Sequence, residues 1–173
     1  MKIFRWMLVF GLFELTVLSA SAQEFEVPKN ISLENKDDFE RHKEQVLQCI
    51  DWLEKTPIDE QQTKRTEANR FLLTWLAGTD QVTIEVSIIV KDIVKKNPDL
   101  LMIFMGGWAA FELNDTSSKT DVILANKAGI RSAINAYELN LVHGYRKNKK
   151  LEKLKKKDLK NTLEAWIQKK LEI

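Results

Sequence analysis

From residue 37 onward the apolar positions recur every three or four residues, and that period predicts helices. Phe39, Val46, Ile50 and Leu53 share one face of a helix over 37–55, with Asp37 and Asp38 suited to its positively polarised N-terminus. Thr56-Pro57 follows; Thr56 reads as a cap and Pro57 as the first position of a second helix. Its stripe of Ala68, Phe71, Leu72, Trp75 and Leu76 runs to about residue 77, and Gly78 stands where a C-terminal glycine cap belongs.

Residues 82–96 carry both periods. Val82, Ile84, Val86 and Ile88 alternate as a strand would, whereas Val86, Ile89, Val90, Ile93 and Val94 keep helical spacing up to the stop Lys95-Lys96-Asn97-Pro98. The longer pattern predicts an extended entry at 80–84 and a helix over 85–96. A fourth helix, 100–113, is apolar nearly all the way round, which marks a buried central helix because it is too short to span a bilayer. After the loop 114–118 a fifth helix, 119–141, carries the stripe Ile123, Ile130, Ile134, Tyr137 and Leu141 beside a face of Ala125, Ala128, Gly129, Ala133 and Ala136. With Gly106 and Gly107 on the preceding helix, these small residues predict a tight antiparallel hairpin. The tail from 147 to 171 is helical again, with a bend near Lys157-Asp158.

The expected fold is therefore all-α: a compact bundle of about five to six helices in antiparallel hairpins, one domain over 37–173, with no internal repeat. The start of the chain reads differently. Lys2 and Arg5 precede the apolar run 6–18 and the small residues Ala20-Ser21-Ala22, the layout of a cleaved secretory signal peptide over 1–22. An extended or poorly ordered lead-in over 23–36 follows, and 151 residues are left after cleavage.

The formal net charge of +2 hides an asymmetry. Residues 23–145 carry 14 Lys and Arg against 20 Asp and Glu, while residues 146–173 carry 11 against 4. An acidic body is joined to a basic helical tail. The single cysteine, Cys49, sits at helical spacing among Val46, Ile50 and Leu53 and reads as a small buried apolar residue.

No spacing known to carry catalysis is present: no H-E-x-x-H, G-x-S-x-G, paired C-x-x-C, phosphate loop or dinucleotide glycine fingerprint. The sequence points to no cofactor, no metal and no catalytic residue; Asp38 and His42, one helical turn apart, are better read as helix residues than as ligands. His143 reads as a cation at a helix C-terminus. The candidate partner surface comprises the tail residues Lys153, Lys156, Lys157, Lys160 and Trp166, and the string Gly106-Gly107-Trp108, where backbone is open to close approach. A lysine-rich amphipathic helix suits an acidic protein or an anionic membrane surface, or else packs its apolar side on its own acidic body. Nucleic acid is disfavoured by export and by the lack of interleaved aromatics. The enzymatic alternative is an envelope hydrolase using Glu112, Asp115 or Asp121.

The stretch 97–108, Asn-Pro-Asp-Leu-Leu-Met-Ile-Phe-Met-Gly-Gly-Trp, preceded by Phe71-Leu-Leu-Thr-Trp75 and followed by the lysine-rich helix, resembles a group of small exported bacterial proteins of the Bacteroidetes type. The likeness covers most of the mature chain. It implies a periplasmic or secreted location and brings no activity and no catalytic residues. The function expected is that of a non-enzymatic exported module binding a partner at the cell envelope.

Overall fold

The structure, a computed structural model, describes residues 25–115 and 121–172; the expected signal peptide and positions 116–118 of the expected loop lie outside the described residues. Among the described residues the regular elements are eight α-helices and no strand. The all-α reading holds, with more and shorter helices than the periodicity predicts.

The first predicted helix is two, α1 (Lys36–Arg41) and α2 (Lys43–Lys55), parted at His42, whose Nδ1 pairs with the side chain of Gln45. The α1 start is reciprocally capped: Asn35 Oδ1 accepts the Asp38 amide at 3.2 Å, and Asp38 Oδ2 accepts the Glu34 amide at 3.1 Å. That Glu34 amide holds the Asp38 carboxyl below the usual carboxylate range, against the opposing effect of burial.

Helix α3 (Gln62–Gly78) begins five residues later than Thr56-Pro57 predicts. The reason is tertiary. The buried Arg65 guanidinium donates to the carbonyls of Leu53, Thr56 and Pro57 at 3.3, 2.5 and 3.2 Å, and Asn140 Oδ1 takes the Ile58 amide at 2.6 Å. These partners hold 56–61 as a turn, with Gln61 left-handed at φ 45°. Gly78 is not a left-handed cap either: it ends α3 in helical geometry, and a Cβ there would lie 2.5 Å from the Phe39 ring.

An extended stretch leads to α4 (Ile88–Val94), shorter than the predicted 85–96 because Ser87 caps it by accepting the Ile89 amide. Helix α5 (Leu100–Asn114) is the central helix, packed against α2, α3, α4 and α6. Helix α6 (Val122–Asn140) starts at the Asp121 cap, which accepts the Ile123 and Leu124 amides at 2.9 and 3.0 Å. The pair is antiparallel, since Asn97, before α5, bonds Arg146, beyond the end of α6. Their approach is as close as the small residues predict. A Cβ on Gly129 would meet the Phe104 carbonyl oxygen at 2.7 Å, and one on Gly107 the Ser132 Oγ at 2.4 Å.

The basic tail is two helices, α7 (Lys149–Leu159) and α8 (Leu163–Leu171), with the bend at 160–162 instead of at Lys157-Asp158. Leu151, Leu154, Leu163 and Ile167 are buried, each burial contributing about 1.5–3 kcal/mol. Ion pairs at the seam run both ways. Arg131 and Lys127 of α6 hold Asp158 and Glu164 of the tail, while Glu138 and Asp92 take Lys155 and Lys150. The lead-in, described from residue 25, is extended and docked: Phe25 is buried with its ring 6.0 Å from that of Trp52. No helix among the described residues is long and apolar enough to cross a membrane.

Candidate functional site

Two asparagines decide where the basic residues gather. Asn148 caps α7 by accepting the Lys150 and Leu151 amides, and its Nδ2 donates to the Asp92 and Ile93 carbonyls at the end of α4, 3.1 and 3.0 Å away. Its own amide donates to Tyr137 Oη at 3.0 Å, and that hydroxyl donates to Glu152. Asn97 pairs with Arg146 in both directions, 2.8 and 3.0 Å. Segment 146–150 is thereby tied beside 92–97. Lys147, Lys149 and Lys150 and the pair Lys95-Lys96, about fifty residues apart in sequence, become one basic surface.

Three clefts follow one another along it. The first, about 220 Å³, is lined by Trp166, Leu154 and four lysines, Lys150, Lys153, Lys157 and Lys170, with Asp92 the one acid. The second, about 400 Å³, shares Asp92 and Lys150 with it and adds Lys95, Lys96, Lys147 and Lys149. The third, about 470 Å³, shares Lys95 and Lys96 and continues past Arg146 to His143, which pairs with Asp59 at 2.9 Å. Apart from Lys150, held by Asp92 at 3.5 Å, the lysines of these clefts and Arg146 form no ion pair among the described residues. Their positive potential is left to attract an outside anion.

The predicted site residues divide into two sets. Lys153, Lys156 and Lys160 are exposed, Lys157 and Trp166 half-exposed, and Lys153, Lys157 and Trp166 meet in the first cleft. Gly106, Gly107 and Trp108 are all buried: Gly106 lies against Ile50, Gly107 against Ser132 and Ala128, and Trp108 donates to Glu112 Oε1 at 2.6 Å. The structure does not bring these two sets together. Sequence reasoning missed Lys95, Lys96 and Arg146 as members of the surface; a pair of lysines closing a helix carries no signal of what will pack beside it.

The acids of the enzymatic alternative are already engaged. Glu112 accepts from Trp108 through one oxygen and from the Thr83 amide, at 2.8 Å, through the other, and Asp121 serves as the α6 cap. Among the described residues no cluster of three His, Cys, Asp or Glu is placed to hold a metal ion. Cys49 donates to the Ala68 carbonyl from a fully buried position, and loss of solvation pushes its thiol up to about 12.

Another cleft, about 550 Å³, lies between the lead-in and α3. Lys29, Arg70 and Glu67 give it charges of both signs, so it favours neither an anion nor a cation. Comparison of the chain with protein-family models, with curated proteins and with solved structures finds no match.

Proposed function

We propose that this chain is an exported, non-enzymatic helical binding module that works at a bacterial cell envelope and holds an anionic partner on its basic face. The observation that carries the reading is the basic surface shared by 95–96, 146–150 and α7, on which Lys95, Lys96, Arg146, Lys147, Lys149, Lys153 and Lys157 form no ion pair among the described residues while Lys150 is held by Asp92. The signal-like first 22 residues and the resemblance to small exported proteins support the location.

The manner of docking narrows the chemistry. Helices α7 and α8 turn Leu151, Leu154, Leu163 and Ile167 into the body, so what they offer outward is mainly charge, without a continuous apolar face for insertion into lipid. Contact through such a surface is electrostatic and weakens as salt rises.

Retention on an immobilised anionic polymer tests this. At low salt the protein is expected to bind and to elute earlier after Lys95→Glu, Lys96→Glu, Lys147→Glu and Lys149→Glu are combined, with circular dichroism confirming an unchanged fold. Passage of the unaltered protein straight through the column at low salt overturns the reading.

A further inference from the structure

We infer that the cleft around Trp166 is a subsite for one carboxylated sugar unit, and that the anionic partner is a linear acidic polysaccharide. The inference rests on the basic face being an anion-binding surface and adds to it the identity of the anion.

The four described tryptophans make the argument by contrast. Trp75 and Trp108 are fully buried, and their indole N–H groups are spent on the Phe39 carbonyl and on Glu112. Trp52 is half-buried, but its ring is already covered: Lys64 and Arg65 lie 5.0 and 5.5 Å from its centroid and Phe25 packs beside it. Trp166 is different. It is half-exposed, its N–H has no partner among the described residues, and none of the four lysines lining its cleft stacks on its ring. An aromatic surface and unpaired ammonium groups are thus presented together, next to Leu154.

That combination fits a uronic acid closely. A pyranose has one face of C–H groups that packs on an aromatic ring, a carboxylate for an ammonium, and hydroxyls that a carboxylate such as Asp92 accepts from. A peptide acidic at every position, such as poly-glutamate, offers its carboxylates to the lysines and no rigid C–H face to the ring. A lipid surface would need a continuous apolar face, whereas α7 and α8 turn Leu151, Leu154, Leu163 and Ile167 inward and leave outside, of their larger apolar side chains, only Leu159 and parts of Trp166 and Leu171 among many charges. The size agrees, because about 220 Å³ is below the roughly 300–1,000 Å³ of sites for drug-sized ligands and suits a single ring. The next cleft opens through the shared Asp92 and Lys150, and the one after through Lys95 and Lys96, so charges recur along a path that a linear polymer can follow.

Calorimetric titration of the full chain with an oligogalacturonate tests the assignment, with the same oligomer after carboxyl reduction, poly-glutamate of matched charge, and phosphatidylglycerol vesicles as the other arms. The oligogalacturonate is expected to bind most tightly, and carboxyl reduction to abolish measurable binding. Trp166→Ala should weaken the oligogalacturonate about tenfold, the scale of one lost aromatic anchor, while leaving poly-glutamate unchanged. Trp166→Phe, which keeps a ring and most of the packing, should recover part of the loss, separating stacking from a folding defect.

Oligogalacturonate binding no tighter than poly-glutamate, or indifferent to Trp166→Ala, overturns the subsite and leaves the anion-binding face standing. Vesicle binding that is stronger than oligogalacturonate binding and falls with Trp166→Ala overturns it in favour of a membrane. Failure of all three anions to bind at low salt overturns the subsite and the basic-face reading together.

Discussion

The α5–α6 hairpin and the α7–α8 pair are each two helices joined by a short connection, but opposite features hold them. In α5–α6 the backbones meet through residues with little or no side chain, and the space is so short that a methyl on Gly129 would strike a carbonyl. In α7–α8 a few leucines and one isoleucine anchor helices whose remaining positions are mostly charged. The first pair has its chemistry inside and the second outside. Substitutions in the hairpin should therefore register as stability, and substitutions in the tail as binding.

The largest expected effect is on the hairpin side. Trp108→Ala removes the ring of a fully buried side chain and should cost about 3–5 kcal/mol in urea unfolding, the usual range for a large aromatic lost from a core. Cys49 reports the same event independently. Its buried thiol should resist alkylation at pH 8 in the folded protein, and Trp108→Ala should speed labelling in proportion to the unfolded fraction. A loss under 1 kcal/mol would show that α5 is not the centre of the core.

Next comes the joint between the two regions. Asn148→Ala deletes the α7 cap and leaves two carbonyls at the end of α4 without their donor, a combined loss of about 2–4 kcal/mol. Hydrogen exchange should locate the damage in α4 and α7 and spare α5–α6. Uniform loss of protection would mean that tail and body unfold as one unit, which would erase the contrast.

Two glycines on the hairpin separate close packing from mere helix weakness. Gly129→Ala gains helix propensity of about 1 kcal/mol but presses on a backbone oxygen, so overpacking of about 1–3 kcal/mol should leave it net destabilised. Gly106→Ala meets only the Ile50 side chain, at 3.2 Å, and needs a shift there of a few tenths of an ångström rather than of backbone. It should be neutral or slightly stabilising by thermal melting. Equal destabilisation at both positions would mean that glycine is tolerated on α5 and α6 for reasons other than contact between them.

How much of this was legible in the sequence follows the range of the interaction responsible. The α5–α6 contact was legible because small residues recur at helical spacing on both partners. The Thr56-Pro57 helix start was misread because the groups that hold 56–61 as a turn, Arg65 and Asn140, act through side chains and leave no period in the chain. The candidate site was half-legible. Lysine runs show charge, but only the Asn97–Arg146 and Asn148–Ile93 bonds bring 95–96 beside 146–150, across sequence separations of 49 and 55.

The smallest expected change in stability belongs to the tail, and it is the sharpest test of the contrast. Lys153→Gln with Lys157→Gln removes two charges from one cleft without touching a buried atom or a described ion pair, so the melting transition should stay within about 0.5 kcal/mol of the original. The local density of like charge suggests a slight rise, since each lysine relieved lowers repulsion with Lys150 and Lys170. Binding to an acidic polymer should fall in the same variant, and its dependence on salt should become shallower because fewer charges meet the partner. A protein that keeps its stability and loses its anion places function on the outward face of the tail. One that loses stability and keeps its anion would mean the lysines are structural and the true contact lies elsewhere.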